Sequence, residues 1–428
     1  MEGLLIIAAF LLLFVLGFPV VLAIGIPCIV YIFANGLPID LVAQRTLYAL
    51  DSFPLVAVPV FLFVGSLMNS AGISRYIYKF ADTATGRLPG GLAQVNIFGS
   101  LIFAGMSGSA LADIGGLGRI EIDAMRSKGF TSQFAAAVTS ASAIVGPIFP
   151  PSIPLIIYGT VTGVSVIQLL LGGILPGLLC VLMLMLMTAW LATRRKYPRA
   201  ERWPTWAELW RDFKPAFPAI VAPLILIAGM LAGYFTPTEI AAVTVLYAAL
   251  ISSLFYRELT WQGVLNAAFE TIRASAGILI IVAVAALFGW ILSVEQVPQQ
   301  LTGLMLSIST NPNVLLLIVN VLLILVGMFL DSTTAILVIA PIIAKPLIAA
   351  GVDPVHLGMV VVFNLMIGLL TPPMGLALFL VADIAKVSMK DVLKEMLPYY
   401  VPLLITLLLI TYVPGLTTWI PRLAMGGP

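Results

Sequence analysis

Apolar runs fill most of the sequence, and short polar segments separate them. Runs such as Leu4–Val15, Leu175–Thr193 and Leu403–Tyr412, taken with their flanks, approach or exceed the ~20 apolar residues that cross a bilayer as a helix. The composition agrees, since 61% of the residues are hydrophobic and 9% are charged, whereas soluble domains carry about 25% charged residues. The pattern predicts an all-α polytopic membrane protein.

Two of the runs contain a proline break where a helix would otherwise continue. The first break is Gly146–Pro154, and the second is Gly368–Met374. Proline removes a backbone donor, clashes with the preceding turn and restricts the residue before it. Each run is therefore predicted to form a discontinuous helix: Phe130–Val145 with Leu155–Leu171, and Pro354–Gly368 with Met374–Ile384.

Two other segments consist of short apolar arms around a small polar tip. In the first, the arm Leu92–Phe103 leads to the tip Gly105–Ala110, and a second arm returns to charged residues. In the second, Val314–Phe329 and Ala335–Ala349 flank Leu330–Thr334. Irregular backbone at membrane depth is tolerated only where it is buried in protein or lines a cavity. Both segments are therefore predicted to be re-entrant hairpins.

The remaining elements are simple spans, a loop and surface helices. We expect a loop at Asn35–Leu50 and interfacial amphipathic segments at Ser74–Gly91 and Val297–Ser309. The predicted spans are Leu4–Phe33, Phe53–Ala71, Leu175–Thr193, Ala216–Gly233, Glu239–Phe255, Ala274–Leu292 and Pro402–Val413 with its flanks.

The order of elements in the first half recurs in the second half. Gly105, Gly146 and Pro150 each lie 222 residues before an identical residue, which are Gly327, Gly368 and Pro372. This register indicates an internal repeat. Each copy is expected to cross the membrane four times, so the extra helix Ala216–Gly233 would invert the second copy.

The predicted organisation has seven parts. Scaffold helices and the interfacial helix of the first repeat occupy 1–91, and its hairpin and broken helix occupy 92–171. A span and a basic loop (172–214) and the inverting helix (215–233) follow. The second repeat has its scaffold at 234–310 and its hairpin and broken helix at 311–386, and the last span lies at 387–428.

Basic residues set the expected orientation. The segment Arg194–Lys214 contains seven lysines and arginines, and cytoplasmic loops carry an excess of these residues. We therefore expect a cytoplasmic N-terminus, a periplasmic C-terminus, and a first hairpin that enters from the cytoplasm. Lys345 in the second hairpin would lie outside, but a single charge is weak counter-evidence.

The tips and breaks are the candidate binding elements. Half-helix N-termini suit a carboxylate, and unwound carbonyls and half-helix C-termini suit Na⁺. Asp331 is a functional candidate because a carboxylate at bilayer depth costs roughly 2.5–3.5 kcal/mol, although it also suits a helix N-cap. Gly108 and Gly146 have the alternative role of permitting close helix packing. Asp113, Arg119, Glu121 and Asp123 are expected in the solvated mouth of the first hairpin.

Other functional classes find little support. The only histidine is His356, and no metal-ligand cluster, catalytic triad or nucleic-acid motif is present in the sequence. Gly115–Gly118 is not a dinucleotide loop, because no strand precedes it. A membrane enzyme is therefore disfavoured. A passive channel fits two inverted hairpins less well than alternating access does.

Four ordered motifs resemble one known family over essentially the whole chain. Ile102–Ala110, Gly146–Ser152, Thr236–Glu239 and Leu370–Gly375 are similar to the large membrane subunit of tripartite ATP-independent periplasmic (TRAP) transporters. The resemblance implies a multi-pass protein of the bacterial inner membrane that imports an organic acid with Na⁺ by an elevator mechanism. It implies no organic cofactor. The expected partners are a small membrane subunit of about four helices, a periplasmic substrate-binding protein and the lipid bilayer.

The resemblance also places the ligands. It implies that the substrate lies between the tips, at Ser107, Gly108, Ser109, Pro151, Ser152, Thr333, Thr334 and Pro373. It implies Na⁺ at the tips and breaks, at Ser107, Ser109, Gly146, Phe149, Pro150, Gly327, Asp331, Thr334, Gly368 and Thr371. A stand-alone Na⁺/anion symporter of similar fold, which needs no binding protein, is the alternative function.

Overall fold

A computed structural model describes residues 2–426. These residues form helices and turns and contain no β-strand. The helices of the first half are α1 (Glu2–Val15), α2 (Val20–Ala34), α3 (Asp40–Leu50), α4 (Phe53–Ser70), α5 (Ser74–Thr85), α6 (Leu92–Ser107), α7 (Ala110–Asp113), α8 (Arg119–Ser127), α9 (Ser132–Ala143), α10 (Ile153–Thr162), α11 (Val166–Gly172) and α12 (Ile174–Arg195). A π-helical turn, Ile114–Gly118, joins α7 to α8.

The second half repeats this order. Its helices are α13 (Trp206–Ala232), α14 (Pro237–Leu250, continued by the π-turn Ile251–Phe255), α15 (Trp261–Val294), α16 (Val297–Ile308), α17 (Pro312–Gly327), α18 (Ser332–Ala349), α19 (Pro354–Leu369), α20 (Leu376–Ala385), α21 (Met389–Tyr412) and α22 (Gly415–Met425). In the described part of the chain, seven helical stretches are long and apolar enough to cross a membrane. The predicted all-α membrane fold with two hairpins and two broken helices is confirmed.

The first predicted span, Leu4–Phe33, is wrong, because this segment folds into two helices. Gly17 adopts φ +87°, and the N–H of Phe18 donates to the carbonyl of Leu13 while the N–H of Gly17 donates to that of Phe14. These bonds form a Schellman cap, and Pro19 follows it. α1 and α2 therefore pack against each other as a helical hairpin.

The predicted loop Asn35–Leu50 is also wrong, because its second part is the amphipathic helix α3. This helix has no buried residue and packs along α15. At the 222-residue offset, α3 and α4 together correspond to the single 34-residue helix α15. Asp51, Ser52 and Pro54 interrupt the first copy, and an extended Ser52 separates α3 from α4.

Several boundaries also differ from the expected ones. The second half of the first broken helix ends at Thr162, because Gly163 adopts φ +76° and Ser165 caps a new helix. The basic segment is only partly a loop, since Thr205 and Glu208 form a capping box that starts α13. α15 begins at Trp261, well before the predicted Ala274, and α22 was not predicted.

Polar contacts define the two faces of the molecule. On one face, Lys79 pairs with Asp212 at 3.2 Å, and Arg195 pairs with Glu395. This face also carries 196–205, the part of the basic segment that lies between α12 and α13. On the opposite face, the Asn35 amide donates to Glu2 at 3.1 Å.

The side of the first residues therefore differs from the prediction. Tyr31 on α2 donates to Glu295 at 2.8 Å, and Glu295 follows the far end of α15. Glu2 thus lies on the face opposite the basic segment. The sequence pattern instead predicts the beginning of the chain on the same side as that segment, because Leu4–Phe33 counts there as one crossing.

The centre of the molecule is formed by the first halves of the two broken helices. Every residue of α19 from Val355 to Leu369 is buried, and so is every residue of α9 from Phe134 to Ala143. The hairpin arm α6 packs on α9, and the arm α17 packs on α19. α10 of the first repeat also packs against α18 of the second. The hairpins and broken helices of both repeats therefore form one packed body.

Candidate functional site

The two hairpin tips face a common cavity of about 390 Å³. The first tip contributes Gly108 and Ser109, and the second contributes Asp331, Ser332 and Thr333. The other lining residues come from the first break and α10 (Pro147, Ile153, Pro154), from α7 (Ala110, Leu111, Ala112), from α19 (Met366, Leu369), and from α4 and α15 (Leu62, Ala274, Ile278).

The first tip turns at a glycine whose conformation and contacts exclude a larger residue. Gly108 adopts φ +62°, and a Cβ atom on it would lie 2.6 Å from the carbonyl oxygen of Pro151. The Gly108 carbonyl accepts a hydrogen bond from the N–H of Ile153 at 3.3 Å. The hairpin tip and the first break are thus joined through their backbones.

The second tip is joined to its break in a similar way. The N–H of Met374 donates to the carbonyl of Met328 at 3.3 Å. Asp331 caps α18, since its two oxygens lie 3.1 Å from the Thr334 N–H and 2.8–2.9 Å from the Thr334 hydroxyl. Ser109, 222 residues earlier, has the corresponding role, because its hydroxyl accepts from the Ala112 N–H at 3.5 Å. The capping role considered for Asp331 is therefore observed.

The two proline breaks are held by local hydrogen bonds. Ser152 caps α10 by accepting from the Leu155 N–H at 3.2 Å, and its hydroxyl donates to the Pro147 carbonyl. In the second break, the Thr371 hydroxyl donates to the Ile367 carbonyl at 2.7 Å, and the Tyr400 hydroxyl donates to the Leu370 carbonyl. Each break contains a cis Pro-Pro peptide bond.

Two glycines allow α17 to cross α19 at very short range. A Cβ atom on Gly368 would lie 2.5 Å from the Cα atom of Gly327, and a Cβ atom on Gly327 would lie 3.0 Å from that of Gly368. Small residues allow membrane helices to approach in this way. Close packing is thus observed for these two predicted Na⁺ ligands, and their role in ion binding stays a prediction.

Asp113 lies beside the site, whereas the sequence pattern places it in the solvated mouth of the first hairpin. Arg119 and Asp123 are exposed, as expected for the mouth of the hairpin, but Asp113 and Glu121 are only 4% and 1% exposed. The expectation of a solvated mouth is therefore wrong for these two acids. Asp113 lies four residues after Ser109 and so shares its helix face, which was a usable signal.

The Asp113 carboxylate reaches the first break. A Cβ atom on Gly146 would lie 2.5 Å from Asp113 Oδ2, and the Ser107 side chain lies beside the carboxylate. Among the described residues, no donor, Ser107 included, forms a hydrogen bond of normal geometry with either Asp113 oxygen. The π-helical turn Ile114–Gly118 directly follows Asp113, and such turns occur frequently at functional sites.

The cavity collects only part of the predicted substrate set. Gly108, Ser109 and Thr333 line it. Ser107, Pro151, Ser152 and Thr334 are buried and do not line it, and Pro373 is exposed and does not line it. Of the predicted Na⁺ ligands, Phe149 packs on Gly177 of α12, and Pro150 lies in the cis peptide.

Helix N-termini are the groups at the cavity wall that suit an anion. The described residues that line the cavity include no lysine, arginine or histidine, and Asp331 is the one acid among them. The first turns of α10 (Ile153, Pro154) and α18 (Ser332, Thr333) reach it. Free N–H groups and the dipole at such termini favour an anion.

Two inverted repeats whose hairpin tips meet at a cavity define a permease of the inverted-repeat type. The chain belongs to the family described as tripartite ATP-independent periplasmic transporter, DctM component, whose model matches residues 5–416. The family prediction made from the four motifs is confirmed. Members of this family are transport permeases and not enzymes.

Relatives support this assignment. The chain is 44% identical over 398 residues to the sialic acid TRAP transporter large permease protein SiaM of Vibrio cholerae, with 92% of both chains covered. It is 39% identical to the sialic acid TRAP transporter permease protein SiaT of Haemophilus influenzae, over 90% of this chain and 62% of that one. It is 32% identical to the C4-dicarboxylate TRAP transporter large permease protein DctM of Vibrio cholerae, over 96% of each.

A solved structure resembles the fold. The YdaH transporter of Alcanivorax borkumensis superimposes on this chain with a TM-score of 0.63. The match covers 88% of this chain and 87% of the YdaH chain. The two sequences are 18% identical, so this likeness concerns the fold alone.

Proposed function

We propose that this chain is the permease subunit of a Na⁺-coupled transporter that imports a small organic acid by an elevator mechanism. The observation that carries the proposal is the cavity bounded jointly by the tips of two inverted hairpins. Binding sites of secondary transporters lie at such repeat interfaces. A body made of both hairpins and both broken helices, which packs beside α4 and α15, is suited to move as a unit against those helices.

The proposed substrate is a sugar acid of the sialic acid class, and C4-dicarboxylates are the second candidate class. The relative at 44% identity is named for sialic acid, and that at 32% for C4-dicarboxylates. The cavity volume of about 390 Å³ lies within the ~300–1,000 Å³ usual for small-ligand pockets. Helix N-termini at its wall suit a carboxylate, and Ser109, Ser332 and Thr333 offer hydroxyl groups.

The first break is suited to bind Na⁺. Burying an ionised carboxylate without a partner is costly, and Asp113 has no hydrogen-bond partner in the described part of the chain. A cation between Asp113 and the backbone near Gly146 would offset that cost. Oxygen ligands from a carboxylate, a hydroxyl such as Ser107 and backbone carbonyls are those that a hard cation prefers. The predicted Na⁺ residues of both repeats stay part of this proposal, with Asp113 added.

The partners and the orientation complete the proposal. The chain would act in the bacterial inner membrane with a small membrane subunit of about four helices and a periplasmic substrate-binding protein. The segment 196–205 would face the cytoplasm by the positive-inside rule. The opposite face, with Glu2, the base of the second hairpin and α22, would then be periplasmic.

Uptake into proteoliposomes tests the coupling. The chain, its small subunit and its binding protein are combined with radiolabelled N-acetylneuraminate, and succinate is tested in parallel. Uptake should require an inward Na⁺ gradient and should stop when choline replaces Na⁺. Equal uptake in choline would contradict Na⁺ coupling. Uptake by the chain alone, without partners, would favour the stand-alone symporter.

A further inference from the structure

A second cavity, of about 590 Å³, lies between the helices α3 and α15 and two elements of the packed hairpin body, α10 and α18. It is lined by the last residues of α10, such as Thr160, and by the second half of α18. It therefore opens at the base of the second hairpin, on the face opposite the segment 196–205. We call this cavity the vestibule.

Two cations from different elements line the vestibule. Arg45 comes from α3 and Lys345 from α18. Within residues 2–426, neither forms an ion pair, and Arg45 Nε is buried without a hydrogen-bond partner. Asp51 also lines the cavity, so the formal charge of the lining is +1.

Arg45 is positioned by an aromatic ring. Its guanidinium carbon lies 4.9 Å from the centre of the Trp290 ring on α15. Stacking on an aromatic face holds a guanidinium in place without using its N–H donors. The N–H groups of the two terminal nitrogens, unlike the buried Nε, thus stay available for a planar carboxylate, which they can bind in a bidentate manner.

Lys345 supports an anion in the vestibule for a different reason. A lysine at the base of the second hairpin lies on the proposed periplasmic side, where the positive-inside rule disfavours basic residues. It is exposed rather than paired. Anions that arrive from the periplasm would explain a lysine at this position, since a positively lined cleft raises their local concentration.

We propose that the vestibule receives the carboxylate of the arriving organic acid, between Arg45 and Lys345, before the substrate reaches the cavity between the tips. The proposal rests on the proposed function, which supplies an anionic substrate and a periplasmic face. The two cations belong to a scaffold helix and a hairpin arm. A carboxylate bound between them therefore contacts both the scaffold and the hairpin body before that body moves.

Charge rescue at position 345 tests the vestibule in the full complex with N-acetylneuraminate and succinate as separate probes. Cys28 and Cys180 are buried, so Lys345→Cys supplies the reactive thiol. This variant should raise the half-saturating concentration of the transported probe about fivefold, as expected for one lost ionic contact. Aminoethyl methanethiosulfonate, which restores a positive charge, should reverse the effect, and the sulfonatoethyl reagent should not.

The control is Arg422→Gln, which removes a cation on the same face that lies 3.7 Å from Asp353 and outside the vestibule. It should leave the half-saturating concentration unchanged, whereas Arg45→Gln should raise it like Lys345→Cys. Each transported probe should also slow the chemical modification of Lys345→Cys. This protection assay needs no transport.

The outcomes separate the two proposals. If the unmodified complex shows no Na⁺-dependent uptake, this result would count against the proposed function. Modification of Lys345→Cys that neither probe slows would overturn the vestibule, and so would equal effects of the two reagents. A variant that weakens binding of the substrate-free binding protein, without probe protection, would assign Lys345 to protein docking and would also overturn it.

Discussion

Two carboxylates near the hairpin tips differ in how their charge is compensated. Asp331 accepts bonds from the N–H and hydroxyl of Thr334 and stabilises the start of α18. Asp113 is buried and has no such partner in the described part of the chain. The repeat register places alanine, Ala335, opposite Asp113, and Ser109 opposite Asp331. The two halves thus use their acids differently, and under the proposed function Asp113 is the acid that requires a cation.

Replacing Asp113 by asparagine tests this requirement. Asp113→Asn keeps the shape of the side chain and removes the charge, so the half-saturating Na⁺ concentration of uptake should rise about tenfold, as for a lost charge-assisted contact. The variant should still insert and assemble. Uptake against Na⁺ concentration in proteoliposomes is the measurement.

The matched control is Asp123→Asn on the same hairpin, because the Asp123 side chain is 65% exposed and forms a surface pair with Arg126. Its Na⁺ dependence should equal that of the unmodified chain. If Asp113→Asn shows the same Na⁺ dependence as this control, Asp113 is not an ion ligand.

At the scale of elements, the second repeat depends on the crossing of α17 and α19. The backbones of Gly327 and Gly368 are in direct contact, and this contact fixes the first arm of the hairpin against the broken helix. A side chain at either position meets backbone atoms, which cannot rotate away as a flexible side chain can. The hairpin and the break are thus positioned as a pair.

Gly368→Ala should therefore destabilise the protein. Its Cβ atom would lie 2.5 Å from Gly327 Cα, and relieving such overpacking costs about 1–3 kcal/mol. The midpoint of thermal unfolding in detergent, followed by tryptophan fluorescence, should fall. Gly303→Ala on α16 is the control, since a Cβ atom there meets nothing within 4 Å. Equal midpoints for both variants would contradict the close crossing.

At the scale of the whole molecule, each repeat begins with a matching pair of antiparallel helices, and this pairing produces the inversion. α1 and α2 turn at Gly17 (φ +87°), and α13 and α14 turn at Gly233 (φ +71°). The predicted extra helix Ala216–Gly233, which is part of α13, thus has a counterpart in α1. Parity then places Glu2 and α22 on one face and the segment 196–205 on the other.

Thiol labelling of intact cells tests this sidedness. Ser307→Cys on α16 and Arg199→Cys in the basic segment are both at exposed positions, and the native cysteines are buried. A membrane-impermeant maleimide should label Ser307→Cys in intact cells and Arg199→Cys only after permeabilisation. The reverse pattern would mean that the proposed orientation is inverted.

The sequence by itself determined the class, the hairpins, the proline breaks and the repeat. Hydrophobic length, proline and a fixed residue offset are local properties of the chain, and they suffice for these features. The family followed from four motifs in order. The segment 40–50 differs from the predicted loop because α3, which has no buried residue, is stabilised by packing along α15. A contact between two distant helices leaves no local pattern in the sequence.

Only the tertiary structure decided which residues meet. Asp113 and Gly146 are 33 residues apart in sequence, and their contact depends on how α7 docks against the first break. Arg45, Trp290 and Lys345 come from the three helices α3, α15 and α18. In the sequence alone, Arg45 and Lys345 look like two unrelated surface cations. Hydropathy and helix-breaking residues act within a segment, whereas burial of a charge and the lining of a cavity arise from packing between segments.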